Sequence, residues 1–160
     1  HNPQPTTRNP SSVTAVLLLH VAATITMFGI ILIVQVVHYP LFMHVGPASY
    51  VAYQAEHMTR ITWIVLPVMT TELVTAGLLA WWQPLGLPAW MVWTGLGLVG
   101  VIWISTGLVQ APLHSTLMQG FDPDVHRHLV VTNWVRTAAW ALRTGLVLWM
   151  LSAVLDGRAG

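Results

Sequence analysis

Four long apolar runs constrain this chain more than any other feature of it. A helix that crosses a membrane needs roughly 20 consecutive, mainly apolar residues. Four stretches meet that length: 13–39, 61–82, 89–111 and 134–155. In hydrocarbon every backbone polar group must find a partner within its own segment or in a closed barrel, so runs this apolar form helices. Composition agrees with that assignment. Of 160 residues 55% are hydrophobic and only 7% charged, against about a quarter charged in soluble domains. The surface of such a chain faces lipid. The reading is an all-α fold: an integral membrane four-helix bundle in which short connections make successive helices antiparallel neighbours. Residues 1–12, polar and rich in proline, form a flexible N-terminus; residues 13–160 form one four-span domain. The first run is longer than a signal-peptide core and lacks a small-x-small cleavage site, so it is read as a retained span.

The same numbers exclude several functions. A formal net charge of +1, with no lysine and no basic patch, gives no case for nucleic acid. With no cysteine there is no disulfide, thiolate metal site or thiol nucleophile. Ser105 and Ser115 have no acid–base partner at matching depth, and no serine-hydrolase motif surrounds them. Gly95, Gly97 and Gly100 spell a dinucleotide fingerprint, but inside an apolar helix rather than after a strand. There they are expected to permit close helix packing.

Four spans place both chain ends on one side of the membrane, side A, and leave two longer connections on the opposite side B. Both connections contain helix starts: Gly46-Pro47, and Asp122-Pro123 with Asp122 as the capping residue. The second and fourth helices therefore extend beyond the bilayer on side B, while the first stops at Pro40 and the third leaves the apolar region beside Pro112. Tryptophans mark both edges: Trp81, Trp82, Trp90, Trp93 and Trp149 near side A, Trp63 and Trp134 near side B.

Polar residues within the spans then carry the functional argument. Glu72 and Arg143 lie at similar depth near mid-membrane, where an unpaired charge costs about 2.5–3.5 kcal/mol on insertion scales. They are expected to form a structural ion pair. His20 and His38 are eighteen residues apart, five helical turns, and share a face with Thr24, Met27 and Gln35. Thr106, Gln110 and His114 make a second stripe, and Asn133, Arg136, Trp140 and Arg143 a third. Six histidines gather toward side B: His38, His44, His57, His114, His126 and His128. His38 and His114 sit where their helices leave the membrane; His57 and His126 reach that level from the projecting helices. Imidazole ligates haem iron and several other metals, and no HExxH or ExxH pair narrows the choice.

The expected site is a pocket at side B lined by His38, His57, His114 and His126, with Asn133 and Arg136 holding anionic groups. His38 and His114 are the candidate metal ligands, with Glu56 or Asp124 as a nearby carboxylate for a non-haem metal. The candidate occupants are haem b, another His-ligated metal, or a quinone-like molecule. Two alternatives stand beside this reading. One is a non-catalytic accessory subunit of a larger membrane complex, or a homo-oligomer. The other is an oxygenase or isomerase acting on a hydrophobic substrate.

The segments HYPLFMHVG, ITWIVLPVMTTE, IWISTGLVQAPLH and GFDPDVHRHLVVTNWVRTAAWALR together resemble a group of small four-helix bacterial membrane proteins with no established activity. More remotely, through QAPLH and NWVR, the chain is similar to the anthrone oxygenase-like membrane proteins. The first resemblance implies a bacterial inner-membrane location; the second implies a hydrophobic polycyclic or quinone-like substrate and a shared pocket lined by His114, Asn133 and Arg136.

Overall fold

The computed structural model describes residues 9–83 and 86–159. The segment 1–8, including Arg8, and half of the turn between the second and third spans lie outside those residues. Among the described residues there are only helices, arranged as four rods. The first rod is α1 (Pro10–Ile33), a π-helical turn (Val34–His38), the short α2 (Tyr39–Leu41) and a 3-10 turn (Phe42–His44). The second is α3 (Pro47–Trp82). The third is α4 (Ala89–Ser105), a second π turn (Thr106–Gln110) and α5 (Ala111–Leu117). The fourth is α6 (Pro123–Ala159). All four are long and apolar enough to cross a membrane. Each rod packs against its two sequence neighbours, and the first closes the ring against the fourth.

Local chemistry explains most ends. Asn9 caps α1, its side-chain oxygen accepting from the Ser11 N–H at 3.1 Å, with Pro10 at the first helical position. The helix therefore starts three residues before the apolar run does. Asp122 caps α6 in the same way, accepting from the N–H groups of Asp124 (2.8 Å) and Val125 (3.0 Å). The second rod ends as Gln83 turns into the left-handed region at φ 44°, its N–H still bonded to the Leu79 carbonyl. At 36 and 37 residues, α3 and α6 run to about 55 Å at 1.5 Å per residue, well beyond a hydrocarbon core of about 30 Å.

The first rod does not stop at Pro40, and the third likewise runs on past Pro112. Both continue because a π turn lies just before each proline. The N–H of Tyr39 reaches back to the Val34 carbonyl, and that of Ala111 to the Thr106 carbonyl, each spanning five residues. Each π turn begins six residues before its proline. Proline removes one donor from the ladder, and the wider turn rearranges the ladder around that loss. One extra residue in a helix also turns everything beyond it by about 100°. That rotation decides which side chains face the bundle interior at side B.

Two apolar clusters fill the bundle, one around Met27, Phe42, Tyr50 and Trp140 toward side B, the other around Leu17, Leu79, Met91 and Val147 toward side A. Trp63, Trp81, Trp90, Trp93, Trp134 and Trp149 are all exposed, the placement expected of lipid-facing aromatics at the two edges. The glycine expectation fails. A side chain started at Gly97 or Gly100 would meet nothing within 4 Å, and one at Gly95 would meet Leu146 at an ordinary 3.6 Å. These glycines do not serve close helix contact.

Candidate functional site

The polar residues form two buried networks, one toward each side. The network nearer side A centres on Arg143, which is fully buried. Its guanidinium meets Glu72 at 3.0 Å and also donates to the Gly95 carbonyl, the Thr24 hydroxyl and His20 Nε2. Those partners come from all three other rods: His20 and Thr24 from the first, Glu72 from the second and Gly95 from the third. Glu72 accepts further from Trp140 Nε1 at 2.8 Å. A guanidinium can only donate, so His20 Nε2 accepts and the imidazole proton sits on Nδ1. It donates to Thr75 Oγ1 at 2.7 Å, and that hydroxyl donates to the Thr71 carbonyl. A buried charge costs several kcal/mol unless paired and fully bonded, and this one is both. His20 belongs here, not to the side B cluster.

Toward side B the four-histidine pocket is rearranged. His38 and His57 hydrogen-bond each other, Nε2 to Nδ1 at 2.9 Å. His114 does not face His38. Its Nε2 meets the Tyr39 hydroxyl at 2.8 Å and its Nδ1 meets Gln54 Nε2 at 2.8 Å. An amide nitrogen donates, so His114 Nδ1 accepts and its Nε2–H donates to Tyr39. The Arg136 guanidinium lies near that phenol oxygen. The hydroxyl proton of Tyr39 is thereby left to point elsewhere. His126 Nε2 donates to the Tyr39 backbone carbonyl at 2.8 Å, tying α6 to the first rod. The π turn is the cause: it rotates Tyr39, not His38, into the interior, so Tyr39 takes the place that an unbroken helix gives to His38. His38 is left half-buried at the rim, and His44 and His128 are exposed outside the cluster.

Asn133 and Arg136 do lie beside the site. Asn133 donates to Gln35 Oε1 at 2.7 Å and accepts from Arg136 at 3.1 Å, while Gln35 donates to the Val130 carbonyl. Arg136 also lies over the Trp140 ring, 5.3 Å from its centroid, so the two networks meet at that tryptophan. The expected carboxylates are elsewhere. Glu56 pairs with Arg60 and Asp124 with Arg127, all on exposed surface. Among the described residues no group of three or more His, Cys, Asp or Glu stands close enough to hold a metal ion.

Between the second and third rods, just below His114, lies a cavity of about 160 Å³. Its walls are apolar, with Met27, Ile31, Val65, Met69 and Trp103 among them. Its polar end carries Tyr39, Gln110, His114 and Arg136. Of the lining residues, Thr62 and Leu66 on the second rod and Ala111 on the third are exposed, so the cavity opens sideways through the lipid-facing surface. Two polar atoms of its lining have no partner: Gln110 Oε1, an acceptor, and Arg136 Nε, a donor. Both residues are more than nine-tenths buried. Unsatisfied groups of this kind cost about 1–3 kcal/mol each, and two of opposite sense beside one cavity match a ligand that both donates and accepts.

Sequence reasoning placed Gln110 and His114 on one stripe, and both line this cavity. It did not find Tyr39 or Gln54. Gln54 had a signal, lying three residues before His57 on the same face of a helix whose start was legible. Tyr39 had none short of the π turn.

The fold and these networks define a four-span bundle of the integral membrane class with a laterally open pocket near one membrane face. The chain matches no protein-family description, no characterised protein and no solved structure.

Proposed function

We propose that this protein binds, from within the bilayer, a lipid-soluble ring compound of the quinone or quinol class. The observation that carries this reading is the cavity of about 160 Å³ with an unpartnered acceptor on Gln110 and an unpartnered donor on Arg136 at its polar end. A cavity of about 150 Å³ holds one benzene-sized ring. The ring lies among the methionines and Trp103, and any tail or further ring leaves through the lateral mouth into lipid. The ring oxygen sits at the polar end. It accepts from Arg136 Nε–H and the free proton of Tyr39, and in the quinol form its own O–H donates to Gln110 Oε1. This substrate class agrees with the remote resemblance to anthrone oxygenase-like proteins, and a bacterial inner-membrane location agrees with the resemblance to small four-helix bacterial membrane proteins.

A bis-histidine haem fits these residues poorly. His38 and His57 bond each other, and both nitrogens of His114 are engaged. The cavity is also well below the roughly 300–1,000 Å³ of pockets that enclose drug-sized ligands. We therefore favour the ring compound over haem or a His-ligated metal.

The test is equilibrium binding of an alkyl-tailed benzoquinol to the protein in lipid nanodiscs, against empty nanodiscs. Saturable one-to-one binding is expected, weakened about tenfold in Gln110→Leu, the equivalent of one lost hydrogen bond of about 1.4 kcal/mol. Binding no greater than to empty discs, or haem absorption bands in the purified protein, would overturn the reading.

A further inference from the structure

The pocket accounts for Tyr39, Gln110, His114 and Arg136 but leaves His38 and His57 without a role. His38 is half-buried at the rim and His57 is 8% exposed behind it. Their imidazoles are hydrogen-bonded at 2.9 Å, and the His57 and His114 rings lie 5.8 Å apart, inclined by 39°. His114 then bonds the Tyr39 hydroxyl at 2.8 Å, and both residues line the cavity. Three imidazoles and a phenol thus run in sequence from the side B surface to the polar end of the pocket. From the four rods, the titratable groups facing this line are Tyr39 on the first, His57 on the second, His114 on the third, and His126 and Arg136 on the fourth. Arg136 remains a cation throughout, and His126 is committed to the Tyr39 carbonyl.

We infer that His38, His57, His114 and Tyr39 form a proton relay joining the side B surface to the oxygen of the bound ring compound. The inference rests on the pocket reading above. An imidazole relays a proton by accepting on one nitrogen and releasing from the other, which no amide or phenylalanine ring does. The steps balance with one proton in and one proton out. His38 accepts a proton at Nδ1 from side B and releases its Nε2 proton to His57 Nδ1. His57 releases its Nε2 proton to His114 Nδ1, displacing the Gln54 amide, after rotation of the His57 ring closes the remaining gap. His114, now an imidazolium, passes its Nε2 proton to the Tyr39 oxygen as Tyr39 gives its own proton to the ligand oxygen. No electron moves, and the reverse sequence carries a proton outward.

A purely structural role for these histidines makes a different prediction, because glutamine keeps a hydrogen bond where it cannot relay. The probe is 4-nitrophenol, one ring with one phenolic oxygen, whose visible absorption reports its ionisation. It is bound as nitrophenolate to the protein in nanodiscs, and the pH is dropped by rapid mixing. The expected result is that His38→Gln and His57→Gln each slow protonation of the bound nitrophenolate by about tenfold or more, with equilibrium affinity unchanged. His44→Gln, outside the line, leaves the rate at the wild-type value. Wild-type rates in both His38→Gln and His57→Gln overturn the relay while the pocket reading survives. If 4-nitrophenol does not bind the wild-type protein, the pocket reading fails and the relay fails with it.

Discussion

Arg143 shows how much one residue is asked to do in a bundle this thin. It is expected from the sequence to pair with Glu72, and the pair stands at 3.0 Å. The register could not show that the same guanidinium also holds the Gly95 carbonyl, Thr24 and His20, or that Glu72 serves Trp140. These additional bonds change what mutation will do. If the pair were isolated, exchanging the two charges would restore what either single change removes. Here a glutamate at 143 has nothing to donate to the Gly95 carbonyl, and an arginine at 72 would face the Trp140 N–H. Glu72→Gln and Arg143→Leu are each expected to destabilise the protein by about 3–5 kcal/mol, the cost of leaving one buried charge or its partners unmatched. The double exchange Glu72→Arg, Arg143→Glu should be no more stable than either. Thermal unfolding in one detergent measures all three, and a double exchange as stable as the wild type would show that the pair acts alone.

At the scale of the helix, what was legible in the sequence and what was not divide along one line. Apolar length and capping chemistry are local, so the four spans, the Asp122-Pro123 start and the projection of α3 and α6 could be read directly. Facing is cumulative: it depends on every residue between two positions keeping a 3.6-residue turn. His20 and His38 share a face only if that holds across Val34–His38, where it does not. The sequence marks Pro40 and Pro112 but not the π turn before each, because the wider turn is one of several ways to absorb a proline. Hence the register puts His38 opposite His114, where the structure puts Tyr39. The consequence is testable by deleting one residue. Val37 is about half exposed and lipid-facing, so its deletion removes little packing but converts the π turn toward a regular one and rotates the rod beyond it by about 100°. Deletion of Val37 should leave helical circular dichroism intact and abolish benzoquinol binding, because Tyr39 leaves His114. Val37→Ala, which keeps the residue count, should bind as the wild type does. Binding retained after the deletion would show that the π turn does not set the site.

Taken whole, the molecule is two unlike halves joined at Trp140. Toward side A the polar groups are locked: Arg143 and Glu72 are bonded to all their neighbours, and the cavity beside His20 is only about 10 Å³, no larger than one water position. Toward side B the bundle keeps a cavity of about 160 Å³ and leaves Gln110 Oε1 and Arg136 Nε unpartnered. A bundle that is tight at one end can hold its four rods in register while the other end stays open between the second and third. The direction of that opening matters as much as its size. Its rim residues Thr62, Leu66 and Ala111 are exposed on the apolar flank of the bundle, so a ring compound of the proposed class would reach the pocket from lipid rather than from water. That route gives a prediction separate from affinity for the ring. Ala111→Trp places a large side chain across the mouth while adding nothing to the core, whereas Leu108→Trp, at a position 75% exposed on the same rod, leaves the mouth clear. In nanodiscs the first should slow benzoquinol binding by about tenfold or more at unchanged thermal stability, and the second should match the wild type. Equal slowing in both variants would show that bulk on this rod, not closure of the mouth, is responsible. An unchanged rate in Ala111→Trp would mean that the ring arrives by another path, along the histidines from side B.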